Sequence, residues 1–188
     1  MTTSEYCWDI FATSMGFVAV AAGERGVVAS VLPCCQEEEA AAALAAKFTG
    51  GNRLQKRRGS SGPGREFLAQ AARFLEVYFI DPAASGAFLP PLDLSSFSPF
   101  RQEVYRVVLA IPPGETRSYG EVAQACGKPG GARAVGRALA VNPMPLFIPC
   151  HRVTAVRGIG GFTGAPLAVK VKLLEWERGK KRRKSSLF

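Results

Sequence analysis

The sequence predicts an α/β first half followed by a helical second half, an α/β plus α chain of 188 residues in two domains. Three observations predict it. Before residue 80, β-prone apolar pieces are followed by two stretches with helical composition or spacing, and beyond residue 97 short helices with start and stop signals take over. Charge is also divided between the halves: residues 1–94 hold 8 Lys and Arg against 10 Asp and Glu, and residues 95–188 hold 16 against 5. Without the run Lys180–Lys184 the second half still stands at +6, so its basic character belongs to the folded part as well as the tail. A polyanion is the expected partner of that half.

In chain order, apolar pieces around Gly16–Ala21 and Val27–Leu32, separated by the turn-like "AGERG", read as a hairpin. "EEEAAAALAAKF" (37–48) places acids ahead of strong helix formers and reads as a helix. "GGNRLQKRRGSSGPG" (50–64) reads as an exposed, mobile loop. From Arg65, Phe67, Leu68, Ala71, Leu75, Tyr78 and Phe79 form one stripe at helical spacing, so this helix should cover the sheet. The stretch from Asp81 to Pro99 has no periodic pattern and reads as a linker. The expected organisation is therefore a first domain over 1–94 with its linker from about residue 81, a second over 95–178, and a basic disordered tail over 179–188.

Ser98 and Pro99 occupy N-cap and first-turn positions of a helix whose buried face carries Phe100, Val104, Val107, Val108 and Ile111, closed by "PPGE". Ser118 and Glu121 then stand at capping-box spacing, with Gly127 as a stop. After "KPGG" a second short helix, "GARAVGRALAVN", ends near Asn142-Pro143. Two short helices across a Gly-containing turn on the basic side of the chain fit either a helix-turn-helix or an ordinary helical hairpin. A helix that reads bases presents Asn, Gln, Arg or Lys, whereas Ala132, Ala134, Gly136, Ala138 and Ala140 leave mainly Arg133 and Arg137. Sequence-specific readout is not expected. Small residues let a backbone approach DNA, even at a minor groove only about 6 Å wide, or else serve close helix packing.

No apolar run approaches the roughly 20 residues of a membrane span, and the N-terminal stretch lacks the basic start of a signal peptide, so an intracellular chain with no membrane role is expected. Five cysteines (7, 34, 35, 126 and 150) have no framework spacing, which suits free thiols in a reducing compartment. With no CxxC pair and one histidine, neither a metal nor another cofactor is expected.

That one histidine, His151, directly follows Cys150 in "NPMPLFIPCHRV". A thiol of pKa about 8.5 needs about 2 kcal/mol to be a thiolate at neutral pH, which a base or positive field must supply. In an extended segment consecutive side chains point to opposite faces, so a water relay or a bend must connect the two, and Pro149 favours an edge or bend over a central strand. A Cys-His dipeptide by itself also fits an inert buried thiol beside a core or capping imidazole.

The wider neighbourhood carries more. "NPxPxxIPCHRV", preceded by "PPGETRSYGEVA" and "ARAVG" and followed by a Gly-rich segment and "KxxLLxxE"-like spacing, resembles the O6-alkylguanine-DNA alkyltransferase family from about Phe100 to Glu177. Residues 1–95 match only in general plan. The resemblance implies an N-terminal ribonuclease-H-like α/β domain and a C-terminal winged helix-turn-helix domain. It implies irreversible, single-turnover transfer of an alkyl group from O6 of guanine, and from O4 of thymine, in double-stranded DNA to Cys150, after the damaged nucleotide is flipped out. Further implications are DNA contact through the minor groove without sequence preference, no protein partner, action as a monomer, and a place with the DNA in a prokaryote's cytoplasm or a eukaryote's nucleus.

Carried over residue by residue, the resemblance makes Cys150 the acceptor, His151 its base through a water, and Glu177 the orienter of the imidazole, with Glu175 as the nearby competitor. Tyr119 would contact the flipped guanine at its departing oxygen side. Arg133 would fill the space the base vacates, with Arg137, Ala132 and Ala134 beside it on the DNA. Asn142 would brace the active-site segment and Pro145 form a pocket wall. The carbonyls of Cys150 and Val153 would receive guanine's amino group, and Arg152 joins the pocket set with a less defined role. Where the family has an aromatic lid, a small residue and two glycines, this chain reads "GFTGAP": Phe162 stands for the common Tyr, Ala165 for a Gly, and Pro166 shifts the spacing by one. The loop amide toward guanine O6 then falls to Thr163 or Gly164.

Three other readings predict different behaviour. A lesion-binding module lacks the acceptor thiol, which this chain has. A non-catalytic helix-turn-helix regulator binds one sequence, against which the Ala-rich helix argues. A cysteine hydrolase turns over small esters or peptides and needs its His in direct reach of the thiol.

Overall fold

The computed structural model describes residues 5–48, 53–56, 64–161 and 166–185, which form two compact units, Met1–Ser95 and Ser96–Phe188. In the first unit, β1 (Glu5–Thr13), β2 (Gly16–Gly23) and β3 (Gly26–Ser30) make an antiparallel meander, and β4 (Arg53–Lys56) joins β1 in parallel, giving the order β3-β2-β1-β4. β2 is buried almost continuously, because the sheet has a helix to cover each set of alternating side chains. Ala19, Ala21, Ala29 and Val31 pack with Ala40 and Leu44 of α1 (Glu37–Ala45). The helix α2 (Arg65–Tyr78) lies against β1 and β2 and buries Leu68, Ala71, Phe74, Leu75 and Tyr78, so its apolar stripe includes Phe74 and leaves Phe67 half-buried.

Two expectations are corrected here. The basic stretch 50–64 is no continuous loop, since 53–56 are β4. Arg and Lys in a short edge strand are tolerated because they blunt the open edge, and that composition hides the strand. Nor is 81–95 a plain linker. It holds a 3-10 turn at Ser85–Phe88 and then straps the edge of β3: Val27 N–H donates to Pro91 O (2.9 Å) and Asp93 N–H to Val27 O (2.9 Å), with Arg25 on Asp93 at 3.1 Å. Gly26 permits this approach: its φ of +135° is glycine's region, and a Cβ there would collide with the Pro91 carbonyl.

The second unit is helical around a small ladder. α3 (Pro99–Leu109) starts at the proline, with Ser98 at its N-cap position but no side-chain cap bond. β5 (Arg117–Ser118) leads into α4 (Tyr119–Ala125), where Ser118 and Glu121 close both bonds of a capping box. α5 (Ala132–Ala140) follows the turn, and β6 (Val153–Thr154) pairs with β5 in parallel. Val104, Tyr105, Val108, Ile111, Val122, Val135, Leu139, Met144, Phe147, Ile148 and Leu173 are buried. α6 (Leu167–Ser185) continues as helix through the basic run, so the tail expected to be disordered from 179 is helical to Ser185. Lys and Arg are good helix formers, and positive charge near a helix C-terminus complements the macrodipole. Among the described residues no helix is long and apolar enough to cross a membrane.

Candidate active site

The segment leading to Cys150 is folded on Asn142. The Asn142 Nδ2 donates to Ile148 O (3.0 Å) while its Oδ1 accepts from Met144 N–H (3.0 Å), and Ile148 N–H closes the loop on Met144 O (2.8 Å). Pro145 faces Ile148 across an isolated bridge. Leu146 is the one non-glycine residue with positive φ among those described, at +74°, held there with its side chain buried. At Pro149 (φ −78°, ψ 64°) the chain makes an inverse γ-turn in which Cys150 N–H donates to Ile148 O at 2.7 Å. Cys150–Arg152 then form one 3-10 turn rather than an extended strand. The proline, which removes a ladder donor, and the side-chain clamp from Asn142 together bend the segment.

All three side chains of that turn are buried. His151, 0% exposed, sets Nε2 2.9 Å from Glu177 Oε1, and Glu177 is itself 1% exposed on α6. Arg152 brings Nε (3.2 Å to each carboxylate oxygen) and Nη2 (2.9 Å to Oε1) onto Glu177, and its Nη1 donates to Ile111 O at 2.7 Å. Gly114 N–H donates to Glu177 Oε2 at 2.9 Å. Arg152, expected among the pocket residues, therefore has its guanidinium committed to this ion cluster: a buried carboxylate must be paired, and Arg's planar fork matches it. Glu175 is exposed.

Burial alone would raise the Glu177 carboxyl, but the hydrogen bond from His151 and the charge and hydrogen bonds of Arg152 hold it far below the usual carboxylate range, with a charge on the imidazole adding to this only when the ring is protonated. His151 is pushed down, first by burial and further by the positive charges of Arg152 and Lys170, against the pull of Glu177. The cluster at neutral pH is thus a carboxylate, a guanidinium and a neutral imidazole. An ionised carboxylate only accepts, so the His151 proton sits on Nε2 and the acceptor of the ring is Nδ1.

Tyr119, the first residue of α4, places its hydroxyl 3.2 Å from Gly161 O. Burial raises its phenol, and Cys150 adds to the shift, so the hydroxyl stays a donor at neutral pH. Lys170 is buried on α6, donating from Nζ to Val153 O (2.7 Å) and Gly161 O (3.2 Å) and lying 5.9 Å from the Tyr119 ring centre. Burial lowers its ammonium, with Cys150 opposing. The two carbonyls expected to meet guanine's amino group already accept internal bonds: Val153 O from Lys170, and Cys150 O from the Val153 N–H. Each oxygen retains a second lone pair for another donor.

On α5, Val135, Ala138 and Leu139 face the core while Arg133 and Arg137, four apart, are exposed on the other side, with Ala132 and Ala134 half-buried. Phe162, Thr163 and Gly164 lie outside the described residues. Among the described residues no three His, Cys, Asp or Glu side chains converge as metal ligands.

Sequence reasoning missed Lys170, Tyr105 and Gly160 as parts of the site. Tyr105, fully buried on α3, donates to Ala138 O at 3.2 Å, and burial together with the neighbouring Cys150 pushes its phenol up to about 12. Gly160 has φ +75°, and a Cβ there would press on Ala155 and the Tyr119 ring. A signal for Lys170 was present: residues 170, 173, 174 and 177 follow i, i+3, i+4, i+7, so Lys170 and Glu177 sit at the two ends of an otherwise leucine-lined stripe.

Residues 99–179 match the family model described as "6-O-methylguanine DNA methyltransferase, DNA binding domain". The chain is 42% identical over 116 residues to a methylated-DNA–protein-cysteine methyltransferase of Mycobacterium leprae, an overlap of 62% of this chain and 68% of that one. With the mouse protein of the same name it shares 44% over 117 residues, spanning 60% of this chain and 56% of the mouse protein. Its fold matches the crystal structure of Mycobacterium tuberculosis OGT in complex with DNA with a TM-score of 0.68, at 30% identity and over 94% of each chain.

Proposed function

Because the chain belongs to the methylated-DNA–protein-cysteine methyltransferase family, we propose that it repairs DNA by taking the alkyl group from O6 of a damaged guanine onto Cys150. The observation that carries this reading is the buried run of the turn-borne Cys150 and His151 onto Glu177.

In the reaction, the Cys150 proton passes through a water to Nδ1 of His151, whose Nε2–H is held by Glu177. The thiolate sulfur attacks the alkyl carbon, a C–S bond forms, and the C–O6 bond breaks with its electron pair returning to the purine. No leaving amine has to be protonated, so one relayed base suffices, and a protease-like dyad is not required. The thioether is stable, so each molecule acts once. The same chemistry extends to O4-alkylthymine.

The order β3-β2-β1-β4 with its two covering helices supports a ribonuclease-H-like first domain, and α4 and α5 beside the β5–β6 ladder support a winged helix-turn-helix second domain. Ala132 and Ala134 on α5 let that helix approach the minor groove, and the exposed Arg133 fills the stack when the base leaves, offsetting part of an unstacking cost of a few kcal/mol. Arg137 contacts phosphate. Tyr119 donates at the departing oxygen side, Asn142 braces the turn, and Pro145 and Val153 wall the pocket. The protein acts as a monomer, inside the cell, with the DNA.

Incubation with duplex DNA carrying a labelled O6-methyl group tests this. Label moves to protein in at most one equivalent, and Cys150→Ala abolishes the transfer while binding the duplex as before. Label that stays on DNA with the intact protein overturns the reading.

A further inference from the structure

We propose that Arg152 is a positioning residue for the acceptor's base: its fork on Glu177 neutralises that carboxylate and so keeps His151 a neutral Nε2–H imidazole. The role rests on the transfer reading above and assigns Arg152 something other than a pocket wall. A lone buried carboxylate beside an imidazole draws a proton onto the ring, and a ring already protonated at Nδ1 accepts nothing from a thiol. Here the carboxylate is shared. Arg152 meets it through Nε and Nη2 at 2.9–3.2 Å, Gly114 N–H adds a third donor at 2.9 Å, and Arg152 Nη1 is anchored on Ile111 O at 2.7 Å. The anchor fixes the guanidinium plane independently of Glu177, so the carboxylate meets a preset fork.

The charged and titratable groups around His151 all agree with this balance. From α6 come Glu177 and the cation Lys170, from the 3-10 turn come Arg152 and Cys150, and Tyr105 of α3 and Tyr119 of α4 face Cys150 with their phenols neutral. Arg152 and Lys170 both oppose a charge on the imidazole, and burial does the same. One carboxylate stands against two cations, so the ring rests uncharged and takes positive charge only when a thiolate forms beside it.

The chain's single histidine makes the test direct, because one imidazole signal in the NMR spectrum of the intact protein is His151. In the wild type, ¹⁵N shifts at pH 7 should show the neutral ring with its proton on Nε2, and the titration midpoint should lie below that of a free histidine. Arg152→Met should move the midpoint upward by at least one pH unit and lower the transfer rate at pH 6 by tenfold or more, with a smaller loss at pH 8. Arg152→Lys, which keeps the charge but not the fork, should restore most of the midpoint.

An imidazolium in the wild type at pH 7 overturns the proposal without any variant, as does an unmoved midpoint in a folded Arg152→Met protein. If Arg152→Met fails to fold, Arg152→Gln, which keeps amide donors and drops the charge, decides in its place: its midpoint should rise, and an unmoved midpoint overturns the proposal. Intact mass after exposure to O6-methylguanine duplex separates the two claims: no adduct on the wild type sinks the transfer reading, while a normal adduct with a charged ring sinks only the role of Arg152.

Discussion

Burying His151 has a stability consequence that the chain's histidine count isolates. Its folded pKa is depressed, chiefly by burial, below the unfolded value of about 6.5. The unfolded chain therefore binds more protons in the window between the two values, and stability falls as pH drops through it, by at most about 1.4 kcal/mol per pH unit. Glu177 acts in a different window. Its folded value is depressed too, so its contribution is complete above the unfolded value of about 4.3 and is lost only as pH falls below that. With no second histidine to blur the range, thermal unfolding should show Tm decreasing from pH 7 to pH 5. His151→Gln should flatten that decline whatever its Tm at pH 7; an undiminished slope would mean that the imidazole is not held neutral in the fold.

At the scale of elements, α4 shows what local chemistry can position. It has seven residues, too few for propensity to hold, and its start is fixed by the Ser118 hydroxyl on Glu121 N–H (3.2 Å) and the Glu121 carboxylate on Ser118 N–H (2.7 Å). Tyr119 is the next residue, so the cap also aims the phenol. Ser118→Ala should cost about 1 kcal/mol of stability in denaturant unfolding and slow transfer, and Ser118→Asp, an equally good cap, should recover both. This box was readable in the sequence, as were α1 and α2, the hairpin of β2 and β3, and the helix pair, because each is announced by neighbours within four residues. β1 and β4 were not. Glu5 and Asp9 interrupt one and basic residues fill the other, and what makes them strands is pairing: β1 with β2, Cys7 with Ala22 through Thr13 with Gly16, and β4 with β1, Glu5 with Arg53 through Trp8 with Lys56. The site divides in the same way. Cys150 and His151 are adjacent in the chain and were legible, and the family pattern pointed to Glu177. The commitment of Arg152 to Glu177 and Ile111, 25 and 41 residues away, is a tertiary fact.

For the whole molecule, the charge division separates grip from chemistry. Of the cations in the second half, Arg152 and Lys170 are buried, and Arg152 is matched by Glu177. Arg117, Lys128, Arg137, Arg157, Lys172 and Arg178 are exposed and can meet phosphates, and the sequence adds five more charges at 180–184. Each phosphate neutralised contributes about 0.9 to the slope of log affinity against log salt. Undamaged duplex should therefore bind with a steep salt dependence and with equal affinity for scrambled sequences of one length, measured by fluorescence anisotropy. Replacing Arg137 with Ala should lower the slope by about 1, and ending the chain after Gly179 should lower it by up to about 4.5 if the basic extension of α6 also holds DNA. Transfer from a saturating concentration of lesion duplex should survive the truncation, because none of the groups that make the thiolate lies beyond Glu177. A duplex-sequence preference of tenfold or more would instead mean that α5 reads bases, and a slope unchanged by the truncation would mean that the run 180–184 does not hold DNA.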